Sequence, residues 1–529
     1  MSIEHNLTYY ITTPLFYVND LPHIGSAYPT IVCDFLTGHM KQRGVDACFL
    51  TGTDEHGQKI EKSAKEKGTS PQAHCDEYAA EFKRLWEILD IDYDYFSRTT
   101  AAEHKAYVTE FFKKVQESGD IYKGEYKGLY CVSCEDFWLE KDAEEIDGDL
   151  CCPTHKKKLE EYSQENYFFK LSKYQDRLEK CIAENPDFIS PEYRKNEVLG
   201  WIKEGLKDFP ISRANLDWGI PIPNDDQVIY VWFDALLGYI SGLPEGKREH
   251  YWQDDQIVHV IGKDILRFHA VYWPAMLMSA GMPLPKKVFG HGFLTKDGMK
   301  MGKTLGNVID PVELSEKYGA ESVKYYFLRD IVFGRDGDYT DEGFIQVLNS
   351  DLANNLGNLL NRSLKLINKY FAGKLPKKLI CSEIEASLKE LNAKFMTSVD
   401  NVNPYAGLED LFKVLDKANF FINEVAPWKL LKQEDLSEAD KDSAIKSLYT
   451  AVTCCYQAAF YLAPAMPSLV KNLIFNLGMI EDPENIDRNK LLKEVLSFER
   501  LDYDFTDHQL NSSPVVIFQR IQAPEKTPA

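Results

Sequence analysis

No run of apolar residues in this chain approaches the roughly 20 that a membrane-crossing helix needs. The opening stretch Met1-Ser2-Ile3-Glu4-His5-Asn6 has neither the basic n-region of a secretory signal nor the Arg-rich character of a transit peptide. Together these absences point to a cytoplasmic protein. Positive charge is in deficit as well: 61 Lys and Arg against 82 Asp and Glu leave a formal net charge of −21. That balance argues against a polyanionic partner for the chain as a whole. RNA, however, is met by a local patch, so any basic site has to be sought locally. The 11 cysteines are an odd number without a secretion signal, which excludes a disulfide framework and favours reduced thiols or metal ligation. Internal repeats and low-complexity tracts are missing too. What remains is ordinary for a globular protein, with 44% hydrophobic and 27% charged residues. A length of 529 residues implies about two to four domains.

The most informative stretch lies near the start. The run Thr8-Tyr9-Tyr10-Ile11-Thr12-Thr13 is β-branched and aromatic and reads as a buried strand. After Pro22-His23-Ile24-Gly25-Ser26 the pattern changes to helical spacing at Ala27, Ile31, Phe35 and Leu36, with Ser26 as the expected cap. A strand-to-helix turn of this kind points backbone N–H groups and the positive end of a helix at a ligand, which favours phosphate. Gly25 would let the ligand approach the backbone, and His23 adds a donor for phosphoryl charge. A His and a Gly in a turn are also common without any such role. A second signal comes from His291-Gly292-Phe293-Leu294-Thr295-Lys296-Asp297-Gly298-Met299-Lys300-Met301-Gly302-Lys303-Thr304, where Lys300 and Lys303 sit on a Gly-bearing loop and could clamp a polyphosphate. Alone, two loop lysines are usually a solvated surface.

Several further segments carry chemistry. Ala47-Cys48-Phe49-Leu50 runs into Gly52-Thr53-Asp54-Glu55-His56-Gly57, where Asp54 suits either a substrate ammonium or the cap of the helix through Ile60 and Ala64. Residues 70–117 read as helical, with Trp86 and Phe111-Phe112 in the core. Cys131, Cys134, Cys152 and His155 form a C-x2-C, C-x2-H arrangement suited to tetrahedral structural zinc, with Cys151 as a competing thiolate. Val228 to Trp232 reads as a strand. The aromatic and small residues from Trp232 to Tyr239, including Ala235, suit an apolar pocket wall or plain core. Ile257 to Gly262 is another strand, after which Asp264 could accept bonds from a ribose. From about residue 343 the pattern is of amphipathic helices only. Asn358, Arg362, Lys365 and Lys369 share one helical face, and Pro427-Trp428-Lys429 offers a stacking surface, so this face is either simply solvated or meets RNA. The run Pro514-Val515-Val516-Ile517-Phe518 is expected to pack back as a strand.

His-Ile-Gly followed, after a long insertion, by a Lys-Met-x-Lys-Ser/Thr loop resembles the signature pair of the class I aminoacyl-tRNA synthetases. With Gly52-Thr53-Asp54-Glu55-His56-Gly57, the cysteine knuckle, Val231-Trp232, Ile261-Gly262-Lys263-Asp264, Asn358-Leu359-Leu360-Asn361-Arg362 and Ala426-Pro427-Trp428, the resemblance narrows to the methionyl-tRNA synthetase family. It covers nearly the whole chain. Ser26 stands where the first motif usually has His, Gly302 where the second has Ser, and Leu236 where some members have Pro.

The resemblance implies an α/β fold: a Rossmann-type doubly wound parallel sheet (1–117 and 228–342), an inserted zinc-knuckle connective domain (118–227), a C-terminal α-helical bundle (343–510) and a tail (511–529). It implies an ATP site at His23, Gly25, Ser26, Gly262, Asp264, Lys300 and Lys303, with Mg²⁺ on the phosphates and His23, Lys300 and Lys303 catalytic. It places Leu15, Tyr17, Trp232, Ala235, Tyr239 and His291 around methionine, with Asp54 on its ammonium. Asn358, Arg362 and Trp428 would read the anticodon of tRNA(Met), initiator tRNA included. A monomer is the simpler expectation. A small-molecule adenylyltransferase would share the His-x-Gly turn but need no basic helical third; an RNA-binding zinc protein that has lost catalysis is the non-enzymatic alternative.

Overall fold

The computed structural model describes residues 7–133, 136–138, 140–214, 216–253, 257–301 and 306–522. Its centre is a six-stranded sheet of β1 (Thr8–Tyr17), β2 (Asp46–Asp54), β3 (Tyr95–Arg98), β4 (Ile189–Ser190), β5 (Ile257–Gly262) and β6 (Lys287–His291), in the order β3-β2-β1-β5-β6-β4. Every neighbouring pair is parallel. The chain moves outward from β1 to β3, then restarts beside β1 with β5. That reversal opens a crevice at the carboxyl ends of β1 and β5, where open α/β sheets bind ligands. Both central strands are buried along most of their length, as a sheet covered on both faces requires. Pro14 is tolerated inside β1 because the register with β2 shifts between Thr12 and Leu15, a bulge that needs no ladder donor there.

Three local expectations differ from the structure. The stretch 70–117 is two helices, Pro71–Ile88 and Ala102–Glu117, separated by β3, which forms because the edge of β2 is open to pairing at Leu50 to Thr53. Helical spacing on either side concealed it. Val228 to Trp232 is a strand only at Val228–Ile229; Trp232 lies on a short helix, Val231–Ala235. Pro514 to Phe518 packs back without forming a strand. It is held instead by buried Asn476, whose amide donates to Val515 O (2.7 Å) and whose carbonyl oxygen accepts from Val515 N (2.8 Å), a side-chain copy of one β-bridge.

Within 118–227, strands Ile121–Cys131 and Glu160–Phe169 form an antiparallel ribbon, while β4 returns to the edge of the central sheet. The C-terminal part is built of long helices, among them Ser382–Asp400, Pro404–Val425 and Glu438–Leu462. Helix α1 (Ile24–Gln42) joins it to the sheet: Arg488 donates to both carboxylate oxygens of buried Asp34, at 2.7 and 2.9 Å. Among the described residues no helix is long and apolar enough to cross a membrane.

Candidate active site

The carboxyl ends of four adjacent strands converge on one edge of the sheet. Tyr17 ends β1, Asp54 ends β2, Gly262 ends β5 and His291 ends β6. Tyr17 and Asp54 are register partners, as are Gly262 and His291. The helix that follows, Gln58–Glu66, is capped by Gly57 without a side-chain bond. Asp54 is therefore not its cap; it sits buried at the strand end, 2% exposed.

Beyond the end of β1, α1 begins at Ile24 and its N-cap is His23 rather than Ser26. His23 Nδ1 accepts from Gly25 N at 3.0 Å, which leaves the hydrogen of the neutral ring on Nε2 of an exposed side chain. A Cβ on Gly25 would come within 2.7 Å of His23 Cε1, so the glycine makes room for this imidazole. Ser26 turns back on the same turn: its hydroxyl donates to His23 O (2.8 Å) and accepts from His23 N (3.2 Å), a reciprocal cap. Tyr28, on the next turn, meets the His291 ring edge-on at 6.0 Å, tying α1 to the end of β6. From there the chain enters the hairpin Leu294–Lys296 and Met299–Lys300, so both signature segments leave the same sheet edge. Lys263 pairs with Asp336 (2.7 Å) and lies 4.4 Å from the centre of the exposed Phe293 ring; Lys300 is 6.0 Å from the same ring. Lys303 and Gly302 lie outside the described residues.

The apolar wall is a second cluster. Trp232 stacks on Phe268 (3.9 Å, 6°) and meets Tyr17 edge-on at 6.5 Å. Trp232 Nε1 is buried with no hydrogen-bond partner among the described residues. A buried donor left this way costs about 1 to 3 kcal/mol, and a bound polar group or water would relieve it. Tyr239 donates to His269 Nε2 (2.7 Å), whose Nδ1 donates to Ile265 O (3.0 Å). Burial holds His269 neutral, its pKa down at about 4. Leu15 fills the space above Gly238, where a Cβ would meet its Cδ1 at 2.4 Å. Ala235 shares the helix of Trp232. His291 stands apart: its ring neighbours are Tyr28 and Phe333, and it shares no ring contact with the Trp232 cluster among the described residues. Phe268 and His269 were missed in the sequence. They follow Asp264 on a turn of π-helix, where neither strand nor α-helical spacing marks them.

Cys131, Cys152 and His155 bring their ligand atoms within 4.8 Å of one another. Cys151, also buried, ends the strand Asp149–Cys151 outside this cluster, and Cys134 lies outside the described residues. The knuckle reaches the pocket through Lys59, which donates to Ser133 O at 3.4 Å and lies 5.8 Å from the Tyr17 ring. In the helical part, the Arg362 guanidinium lies 4.5 Å from the Trp428 ring centre and donates to Asn423 Oδ1 at 2.8 Å. Asn358, Lys365 and Lys369 are exposed along the same helix, Asn358–Phe371.

Residues 9–364 match the family described as tRNA synthetases class I (M). The methionine–tRNA ligase of a Nostoc species is 49% identical over 486 residues, covering 89% of this chain and 90% of that one. The chloroplastic/mitochondrial methionine–tRNA ligase of Arabidopsis thaliana is 46% identical, covering 92% of this chain and 79% of the other. The chain belongs to the class I methionyl-tRNA synthetases. Among solved structures, the Mycobacterium tuberculosis methionyl-tRNA synthetase in complex with methionyl-adenylate superposes with a TM-score of 0.89 at 37% identity, covering 97% of this chain and 100% of that one. Its free-state form gives 0.84 at 35% identity, covering 99% and 100%. Against the usual motif of a class I methionyl-tRNA synthetase, Ser26 is the departure whose effect is visible here. Its hydroxyl is engaged by the His23 backbone and is not a free donor to phosphate.

Proposed function

We infer that this chain activates L-methionine with ATP and transfers it to the 3′ end of tRNA(Met). The observation that carries the reading is the single sheet edge at which Tyr17, Asp54, Gly262 and His291 end four neighbouring strands. In the first step a methionine carboxylate oxygen attacks the α-phosphorus, the α–β phosphoanhydride bond breaks, and pyrophosphate leaves. In the second the terminal ribose hydroxyl of the tRNA attacks the aminoacyl carbonyl and AMP leaves. Neither step needs a protein nucleophile; positioning and charge stabilisation suffice.

In this reading Asp54 holds the ammonium, and Leu15, Tyr17, Trp232, Ala235 and Tyr239 enclose the side chain, joined by Phe268 and His269. His291, at the end of β6, is assigned to the methionine site with them. His23 Nε2 and the Lys300 and Lys303 ammoniums meet the phosphates of ATP, which enters with its Mg²⁺. Gly25 gives His23 its place, Ser26 fixes that turn, and Gly262 and Asp264 hold the ribose. Asn358, Arg362 and Trp428 read the anticodon of elongator and initiator tRNA alike. Residues 1–117 and 228–342 make the catalytic fold, 118–227 the insertion, 343–510 the tRNA-reading helices and 511–529 the tail. A cytoplasmic monomer completes the proposal.

The knuckle residues fit zinc. With Zn–S near 2.3 Å and Zn–N near 2.0 to 2.1 Å, a tetrahedral S···N edge is about 3.6 Å, and Cys152 Sγ lies 3.8 Å from His155 Nδ1. Cys131, Cys134, Cys152 and His155 would hold it, and with four protein ligands its part is structural. The test of the main reading is methionine-dependent exchange of labelled pyrophosphate into ATP. Lys303→Ala is expected to lower it by about a hundredfold or more, the loss of one charge-stabilising donor, with methionine affinity unchanged. No exchange by the unaltered protein, or full exchange by Lys303→Ala, would each contradict the assignment.

A further inference from the structure

Asp234 lies between Trp232 and Ala235 in sequence, yet both of its carboxylate oxygens are taken up by other side chains of the protein. Its carboxylate is fully buried, with 0% exposure. Oδ2 accepts from His56 Nδ1 at 2.6 Å, and Oδ1 accepts from His104 Nε2. A carboxylate in this position only accepts, so both ring nitrogens carry hydrogen. The chain of bonds continues from His104 Nδ1 to Ser241 Oγ at 2.6 Å. Both imidazoles are themselves buried, 2% exposed each.

These four residues come from separate pieces of the fold. His56 belongs to the turn after β2, two residues beyond Asp54. Asp234 is on the short helix Val231–Ala235, His104 on the helix Ala102–Glu117, and Ser241 on Gly238–Ser241, which also carries Tyr239. The helix of Trp232 has five residues and no side-chain cap, so its own hydrogen bonds are too few to fix its orientation. Burying an ionised carboxylate is unfavourable unless it is paired and fully bonded. Two charge-assisted bonds meet that requirement here and define one geometry for the three segments. The His56 ring also rests on Trp218 at 5.6 Å, and the backbone of Gly57 donates to Trp218 O at 3.2 Å, so the turn after Asp54 is held from the insertion side as well.

We propose that Asp234 is a positioning residue that, through His56 and His104, sets the separation between Asp54, which takes the amino group, and the Trp232–Ala235 wall, which takes the side chain. The inference rests on the methionine-activating reading. It makes amino acid selectivity depend on a buried bond network that touches no substrate. Loss of one bond lets the short helix shift relative to the end of β2, and a misplacement of about 1 Å is enough to cost a large factor in a positioned reaction.

The experiment is pyrophosphate exchange by Asp234→Asn, His56→Gln and His104→Gln, each normalised by active-site titration so that misfolded protein is not counted. Asp234→Asn is expected to raise the methionine KM about tenfold or more, to leave the ATP KM within about twofold, and to lower the preference for methionine over homocysteine. His56→Gln and His104→Gln should move the same parameter in the same direction. Should Asp234→Asn fail to fold, the two histidine variants carry the test. An unchanged methionine KM in the folded variants would overturn the inference. So would parallel losses for methionine and ATP. Absence of exchange in the unaltered protein would instead remove the underlying reading.

Discussion

The imidazole of His23 occupies the space that a methyl group on Gly25 would need, its Cε1 only 2.7 Å from where that Cβ would stand. Two residues apart in the first turn of α1, they hold each other through the 3.0 Å bond from Gly25 N to Nδ1. Gly25→Ala should therefore swing the ring off its cap and move the Nε2 donor. Loss of a preorganised donor is worth roughly 2.7 to 4 kcal/mol, so pyrophosphate exchange is expected to fall about a hundredfold. Methionine binding, followed by Trp fluorescence, should be preserved. A near-normal exchange rate would mean that the ring's position is not what the glycine secures.

How much of this was visible in the sequence depends on how local each signal is. The strand-to-helix turn at His23 and the strand ends at Asp54 and Gly262 are short-range patterns and lie where they were expected, with His23 rather than Ser26 as the cap; of the knuckle, Cys131, Cys152 and His155 come together while Cys134 lies outside the described residues. β3 was hidden because its four residues owe their conformation to the open edge of β2 rather than to their own alternation. A further demand on Gly25 was not visible for a similar reason: a Cβ there would meet His23 Cε1 at 2.7 Å, a clash set by the fold of the turn. Phe268 and His269 escaped because contact with Trp232 and Tyr239 is a matter of packing across the sheet edge, which no spacing rule records. The same holds for His56, Asp234 and His104, which lie far apart in the chain.

The knuckle should respond to metal removal before the rest of the molecule does. Structural zinc contributes folding free energy directly to the unit that holds it; Cys131 and Cys152 belong to a small satellite core with Leu129 and Leu159, and the exposed His155 brings its ring nitrogen within 4.8 Å of both thiols. His155→Ala is expected to reduce bound zinc, measured by atomic absorption, and to raise amide exchange at residues 129–133 and 150–159. Because Lys59 links Ser133 to the Tyr17 ring, exchange should rise next in residues 58–66. A variant that keeps one zinc per chain, or loosens elsewhere first, would refute the ligand set.

Under the proposed anticodon role, Arg362 should separate the two halves of the reaction. Its guanidinium lies on Trp428 and is steadied by Asn423, on the helical part rather than at the sheet edge. Arg362→Ala should leave methionine-dependent pyrophosphate exchange within about twofold while lowering kcat/KM for tRNA charging by about tenfold or more, since one stacked or bidentate base contact is worth about 1 to 3 kcal/mol. Equal losses in both assays would place the residue's effect in folding.

Acid stability offers a test of the core that does not involve substrate. His39, His259 and His269 are all buried, and burial pushes their pKa values down, to about 3 for His39 and about 4 for His269. Above pH 6.5 the rings are neutral in folded and unfolded chains alike, so their contribution is complete. As pH falls from 6.5 toward 4, the unfolded chain takes up a proton on each ring that the folded chain refuses, and stability drops. Each ring adds a slope of about 1.4 kcal/mol per pH unit in that window. Asp234 acts lower down: burial alone would raise its pKa, but His56 and His104 outweigh that and bring it to about 2, so its contribution is lost only below about pH 4. His39 is the cleanest probe, because it packs between Phe35 and Phe395, on the part of α1 that faces the helical bundle. In His39→Gln, the dependence of the denaturation midpoint on pH between 6 and 4.5 should become shallower by about one proton. An unaltered slope would show that this ring is already protonated in the folded protein.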